Sequence, residues 1–242
     1  MKIPLPTLVF FLLIQTAYGQ VASSDSALLS QSVRQAVDLY QQSFSKQSNL
    51  YSGIEYINYD VNAEGHPYFQ AEDWEIGSIF YNGVLYEDKR VLYDVLNDKV
   101  VVQHPDSAYR VAILSEKVDH FSLLNHSFIR VDEETGKKIG LSVGFYDLLY
   151  AGPSRVLSRR VKILEEDISR GQINRFFVLK DRYYVLRNGT YHSVRSKQSV
   201  FSLFRPQRKA LARYLRSQKI RFKDNREMAI IKSAQFYDVA AQ

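Results

Sequence analysis

The sequence predicts an α+β protein, mainly antiparallel β: a long curved meander sheet or half-barrel with one N-terminal helix and two to three C-terminal helices. Three observations carry this expectation. From Gly53 to about Tyr191 the chain reads as short β-branched and aromatic runs broken by turn residues. Both flanks instead space their apolar residues by three and four, the period of a helix. The aromatic load is heavy, with 17 Tyr, 14 Phe and one Trp, and flat rings suit a pleated, half-buried surface. No long helical stretch separates the strands, which argues against a parallel α/β sheet.

The first helix is expected over Ala27–Gln47, with Leu29, Val33, Ala36, Val37, Tyr40 and Phe44 on one face and Ser24, Asp25 and Ser26 as caps. Strands follow at Gly53–Tyr59, Gly77–Tyr81, Val84–Tyr86, Val91–Val95, Lys99–His104, Tyr109–Ser115, His120–Leu124 and Ser127–Val131. Further strands are Val143–Tyr150, Arg155–Leu164, Arg175–Lys180, Tyr183–Arg187 and Thr190–Val194. Asn82-Gly83, Asn97-Asp98, Thr135-Gly136, Lys180-Asp181 and Asn188-Gly189 suit the hairpin connections. At the C-terminus, Gln198–Phe204 is a short helical turn and Pro206 opens a helix over Gln207–Gln218. Asp224 and Glu227 start a last helix that runs to Ala240.

Met1–Gly19 reads as a cleavable export leader. Lys2 is its positive end, Leu5–Ile14 its apolar run, and Ala17-Tyr18-Gly19 its small-residue cleavage site. About ten apolar residues fall short of the roughly twenty a membrane-spanning helix needs, so no transmembrane segment is expected after cleavage. The remainder, 20–242, is expected to be a single β-rich domain. The chain contains no Cys, so it carries neither a disulfide framework nor the lipid-accepting Cys of a lipoprotein. The expected location is the periplasm or the cell exterior, in soluble form.

The net charge of +6 hides a segregation. Between Gln20 and Ser154 there are 10 Lys and Arg against 19 Asp and Glu, and from Arg155 to Gln242 there are 21 against 7. Either the halves neutralise each other on one surface, or a partner of opposite sign is involved. From Arg205 to Lys219, the cations Arg205, Arg208, Lys209, Arg213, Arg216 and Lys219 fall within about 140° of helical arc, opposite Ala210, Leu211, Tyr214 and Leu215. That face suits an anionic envelope component or an acidic partner, and export argues against nucleic acid.

Catalytic and cofactor signatures are missing: the sequence holds no G-x-S-x-G, H-E-x-x-H, G-x-x-x-x-G-K-[ST] or G-x-G-x-x-G. Glu72-Asp73-Glu75 and Glu165-Glu166-Asp167 contain the carboxylates a glycosidase would need, but acidic runs are more often solvated. His66, His104, His120, His126 and His192 nominate no metal site, and His120 and His126 share a face only if the chain between them stays extended. Asp60–Gly65 imitates the first half of a calcium loop, yet Ala71 stands where the closing Glu belongs. No cofactor is expected. Trp74, Tyr81, Tyr86 and Tyr93 are candidate ring surfaces for a sugar or an apolar small molecule, unless they are packed in the core. Asp25-Ser26-Ala27 and Asp106-Ser107-Ala108 match a short bacterial O-glycosylation motif, and Asn125-His126-Ser127 and Asn188-Gly189-Thr190 match the N-glycosylation pattern.

The stretches Leu50–Tyr56, Gly65–Phe69, Trp74–Tyr86, Leu92–Asp94, Gly144–Tyr150, Asp181–Tyr184 and Ser196–Val200 occur in an order that resembles a group of exported β-rich proteins of the Bacteroidota. The resemblance spans nearly the whole chain after the leader. It implies a Gram-negative envelope location and brings no activity with it. The expected function is a non-enzymatic periplasmic or surface-associated binding or assembly module. A half-barrel carrier of an apolar ligand and a carboxylate-dependent hydrolase are the alternatives.

Overall fold

The structure, a computed structural model, describes residues 31–36, 39, 49–57, 62–105, 109–169 and 172–240. The chain divides into two compact units, 1–46 and 47–242. In the first unit, residues 31–36 and Leu39 are helical, inside the helix expected over Ala27–Gln47. The rest of that helix, the leader Met1–Gly19, both bacterial glycosylation motifs and Asp60 and Val61 of the calcium-like loop lie outside the described residues.

The second unit is built on eleven antiparallel strands in one open sheet. In chain order they begin with β1 (Ile54–Glu55), β2 (Glu75–Tyr81), β3 (Val84–Asp94), β4 (Lys99–Gln103), β5 (Arg110–Ala112), β6 (Val118–Leu123) and β7 (His126–Val131). After helix α1 (Glu133–Ile139) come β8 (Gly144–Tyr150) and β9 (Val156–Arg159). Next are β10 (Lys162–Ser169) and β11 (Gln172–Leu179), then β12 (Arg182–Arg187) and β13 (Thr190–Val194). The spatial order is β1-β5-β4-β3-β2-β6-β7-β8-β9-β12-β13, while β10 and β11 form a separate two-stranded ribbon. The meander is therefore broken three times, at β1–β5, at β2–β6 and at β9–β12. Three helices close the chain: α2 (Lys197–Leu203), α3 (Arg208–Ser217) and α4 (Arg226–Ala240).

Three local expectations are corrected. The polar run Glu87–Arg90 does not divide two strands, because Asp88 adopts φ 52° and the β2–β3 register slips between Gly77 and Ile79, so one bulged strand passes through. Arg155–Leu164 is not one strand, since the chain turns at Arg160 and Val161 between β9 and β10. Thr135-Gly136 is not a hairpin turn but lies inside α1. There Asp132 accepts from Thr135 N at 2.8 Å, Glu133 and Glu134 fill the first turn, and Gly140 ends the helix at φ 77°.

The sheet curls without closing. Its inner face carries Ile79, Tyr81, Val91, Tyr93, Phe121, Phe128 and Phe145, all buried. The rings of Phe121 and Phe128 stack at 4.6 Å, and Tyr93 meets them edge-on at 5.1 and 4.9 Å. Asp98, in the β3–β4 turn, accepts from Tyr93 Oη at 2.7 Å and from Arg159 Nη2 at 3.2 Å. It also accepts from Phe145 N at 3.3 Å, which draws the turn across to β8 and β9. Gly144 (φ 140°) makes this approach possible, because a Cβ there would stand 2.3 Å from Asp98 Oδ2. A second core lies under the helices. Val156, Val185 and Val194 of the sheet pack with Phe204, Leu211, Leu215, Ile230 and Ala234. Asp238 of α4 ties it down by accepting from Ser154 N at 2.9 Å and from Tyr150 Oη at 3.0 Å.

Candidate functional site

Where the ring-filled core meets the helix-covered core, the turn after β9 sends Arg160 inward. Its guanidinium donates to Asp147 Oδ2 at 2.9 and 2.6 Å, to Asp181 Oδ2 at 2.6 Å and to Glu227 Oε2 at 2.7 Å. Arg160 also lies over the ring of Phe69 at 5.6 Å. Burial acts against its charge, but hydrogen bonds and ionic attraction from Glu227, Asp147 and Asp181 outweigh it and hold the guanidinium above its ordinary pKa. His126 Nδ1 shares Asp147 Oδ2 at 2.7 Å. A His–Asp pair is the skeleton of a general base. Here, however, the second ring nitrogen meets the amide of Gln70 at 3.2 Å rather than a nucleophile, and Arg160 already neutralises the carboxylate. The arrangement joins β7, β8, β9, β12 and α4. Its chemistry is that of a strut.

Beside it the surface opens. A cleft of about 950 Å3 lies between the β12–β13 end of the sheet and the helices. Tyr183, Phe201, Ala212, Leu215, Ile220 and Phe222 give it an apolar lining, and Arg195, Lys197, Arg216, Arg221, Lys223 and Arg226 bring six cations. Only two acids join them, Asp224 and Glu227, and both are engaged: Asp224 pairs with Arg221, and Glu227 with Arg160. Among the described residues, Arg195, Lys197, Arg216, Lys223 and Arg226 form no ion pair. Arg226 lies over Tyr183 at 5.0 Å and Lys197 over Phe201 at 5.4 Å. Burial, then the charges of Glu227 and Asp181, push the Tyr183 phenol up to about 12. Five unpaired cations around one concavity concentrate positive potential and favour an anion there.

The charge segregation in the sequence is barely relieved by pairing. Among the described residues, Arg159–Asp98 and Arg160–Asp147 are the ion pairs that join the acidic half to the basic half. The predicted basic face survives in part. Arg208, Lys209, Arg213 and Arg216 are exposed on α3. Arg205 lies in a preceding 3-10 turn and Lys219 beyond the helix at φ 56°, so neither follows the helical arc. Of the six, Arg216 alone lines the cleft.

Three of the four aromatic candidates lie in the core. Tyr81, Tyr86 and Tyr93 are 2%, 5% and 0% exposed in the inner core, because strand alternation turns these positions inward. Trp74 is half-buried against Tyr56 and Tyr68, with Arg110 over its ring at 5.4 Å. His120 is exposed and stacks on Phe80 at 5.1 Å, whereas His126 faces Asp147, so the two do not converge. Among the described residues no His, Cys, Asp and Glu gather as a metal site. Glu165 and Glu166 pair with Lys180 at 2.9 Å and Arg175 at 2.6 Å along the β10–β11 ribbon.

Arg195, Lys197, Lys223 and Arg226 were not legible as a group. They come from the end of β13, the start of α2 and the approach to α4, and the basic excess after Arg155 was the only signal for them. No protein-family model, curated protein or solved structure matches the chain.

Proposed function

We propose that the protein is an exported, non-enzymatic binding module of the cell envelope whose basic cleft holds an anionic partner. One observation carries the reading: five cations without an ion pair among the described residues surround an apolar-lined cleft of about 950 Å3. Folding alone gives no reason to gather them, since like charges held together repel. The ring-filled interior of the sheet weighs against the carrier reading, because the space an acyl chain would occupy is taken by side chains. The leader-like Met1–Gly19 supports export.

The test is a titration with poly-glutamate, an anionic probe, against two triple variants of equal charge. Arg195→Glu/Arg216→Glu/Arg226→Glu reverses three of the six cations that line the cleft, and Arg205→Glu/Arg208→Glu/Lys209→Glu alters the surface elsewhere. Binding lost in the first and kept in the second is the expected outcome. Equal loss in both would reduce the interaction to bulk charge and overturn the reading. Export is checked by the intact mass of the protein from the periplasm or medium, which should begin at Gln20.

A further inference from the structure

A second cleft, of about 540 Å3, continues the first and is lined by Lys180, Arg182, Ser193 and Val194 among others. The two share Tyr183, Arg195 and Arg226. Together they run from α3 past the first turn of α4 to β13, the last strand of the sheet. Positive charge continues along the run, because Arg182 adds to the cations of the larger cleft while Lys180 is paired with Glu165.

We infer that the joined clefts form one groove for an extended acidic segment of a partner protein, whose carboxylates meet Arg195 and Arg226 at the junction. This rests on the reading of the larger cleft as an anionic-partner site. Two observations select a peptide over other polyanions, and a third suits its carboxylates. The groove is elongated and ends beside a sheet-edge strand, where an extended chain is readily accommodated. Phe201 and Tyr183 are 8% and 7% exposed and lie under Lys197 and Arg226, so neither ring presents an open face on which a sugar could stack. The cations at the junction are guanidiniums, whose planar fork matches a carboxylate through two parallel bonds. Half-buried Ile220 and Phe222 then accept the apolar side chains that alternate with the acids.

The experiment selects from a displayed library of random dodecapeptides on the intact protein, followed by direct titration of the recovered peptides. The expected result is recovery of sequences that interleave Asp or Glu with Leu, Ile or Phe. Their binding should weaken about tenfold in Arg195→Ala/Arg226→Ala, and unchanged circular dichroism and melting of the variant would show that it still folds. No enrichment, or enriched peptides that bind the variant equally well, would overturn the inference. Parallel arms use phosphatidylglycerol vesicles and alginate. Binding of either at the same two arginines, with no peptide enriched, would overturn the peptide assignment and leave the anionic-partner reading standing. Failure of every polyanion would overturn both. Salt-sensitive self-association lost in the same variant, again without peptide enrichment, would assign the groove to a second copy and overturn the choice of a separate partner.

Discussion

Arg160 and Arg195 belong to the same basic half of the chain, yet the fold uses them in opposite ways. Arg160 is 7% exposed and has three carboxylate partners, whereas Arg195 is exposed and has none among the described residues. A charge removed from water must be compensated nearly completely, because its desolvation costs several kcal/mol. A charge left at the surface costs little and contributes little until a partner arrives. The difference separates cations that hold the fold from cations available for recognition, a distinction that composition cannot make.

The strongest way to break this comparison is at Arg160. Arg160→Met leaves Asp147 and Asp181 buried without their partner, and the expected loss is about 3–5 kcal/mol in urea denaturation. Arg160→Lys should recover only part of it, since an ammonium cannot serve three carboxylates in one plane. If Arg160→Met proved neutral, the strut would be replaceable by packing alone.

The next effect depends on pH. Tyr183 sits between strut and cleft, with its phenol pushed up to about 12 from an ordinary 10.0. Between these values the native state keeps the proton that the unfolded chain has released. Stability should therefore fall as pH rises through that window, by about 2–3 kcal/mol at most. Stability curves of Tyr183→Phe should lack that alkaline decline, and an unchanged decline would assign it to other tyrosines.

In the ring-filled core, Tyr93→Phe removes the bond to Asp98 while keeping the packing. The expected cost is about 1–2 kcal/mol by chemical denaturation, with Phe145 N and Arg159 still bound to Asp98. The smallest effect is predicted at the cleft itself. Arg216→Glu should shift stability by less than about 0.5 kcal/mol, and a larger loss would mean that the cleft cations are structural after all.

Much of the fold was legible because its signals are local. Asn82-Gly83 and Asn188-Gly189 turn where expected, with φ of 50° and 77° in one pair and 51° and 78° in the other. Thr190–Val194 has the predicted boundaries. The last helix was placed one residue early, since Asn225 rather than Asp224 caps it through Met228 N at 2.9 Å. Helix α1 was missed although Asp132, two acids, two lysines and Gly140 spell its ends, because seven residues are too few for an apolar stripe. The strut was invisible for another reason: Arg160 finds its partners 13, 21 and 67 residues away, and no periodicity reports such distances. The aromatic ladder shows the converse error. A run of rings signals strands well, but only the inward or outward parity of each position tells a binding surface from a core, and that parity depends on register.

The turn at Asp98 also bears on how the molecule assembles. Its bonds to Phe145 and Arg159 span 47 and 61 residues, so they close a large loop that neighbouring hairpins do not need. Such a seam forms after the hairpins it joins, once the ring core has drawn the two ends together. Weakening it should therefore leave the refolding rate nearly unchanged and show itself as faster unfolding, making the seam the place where the rolled sheet first comes open.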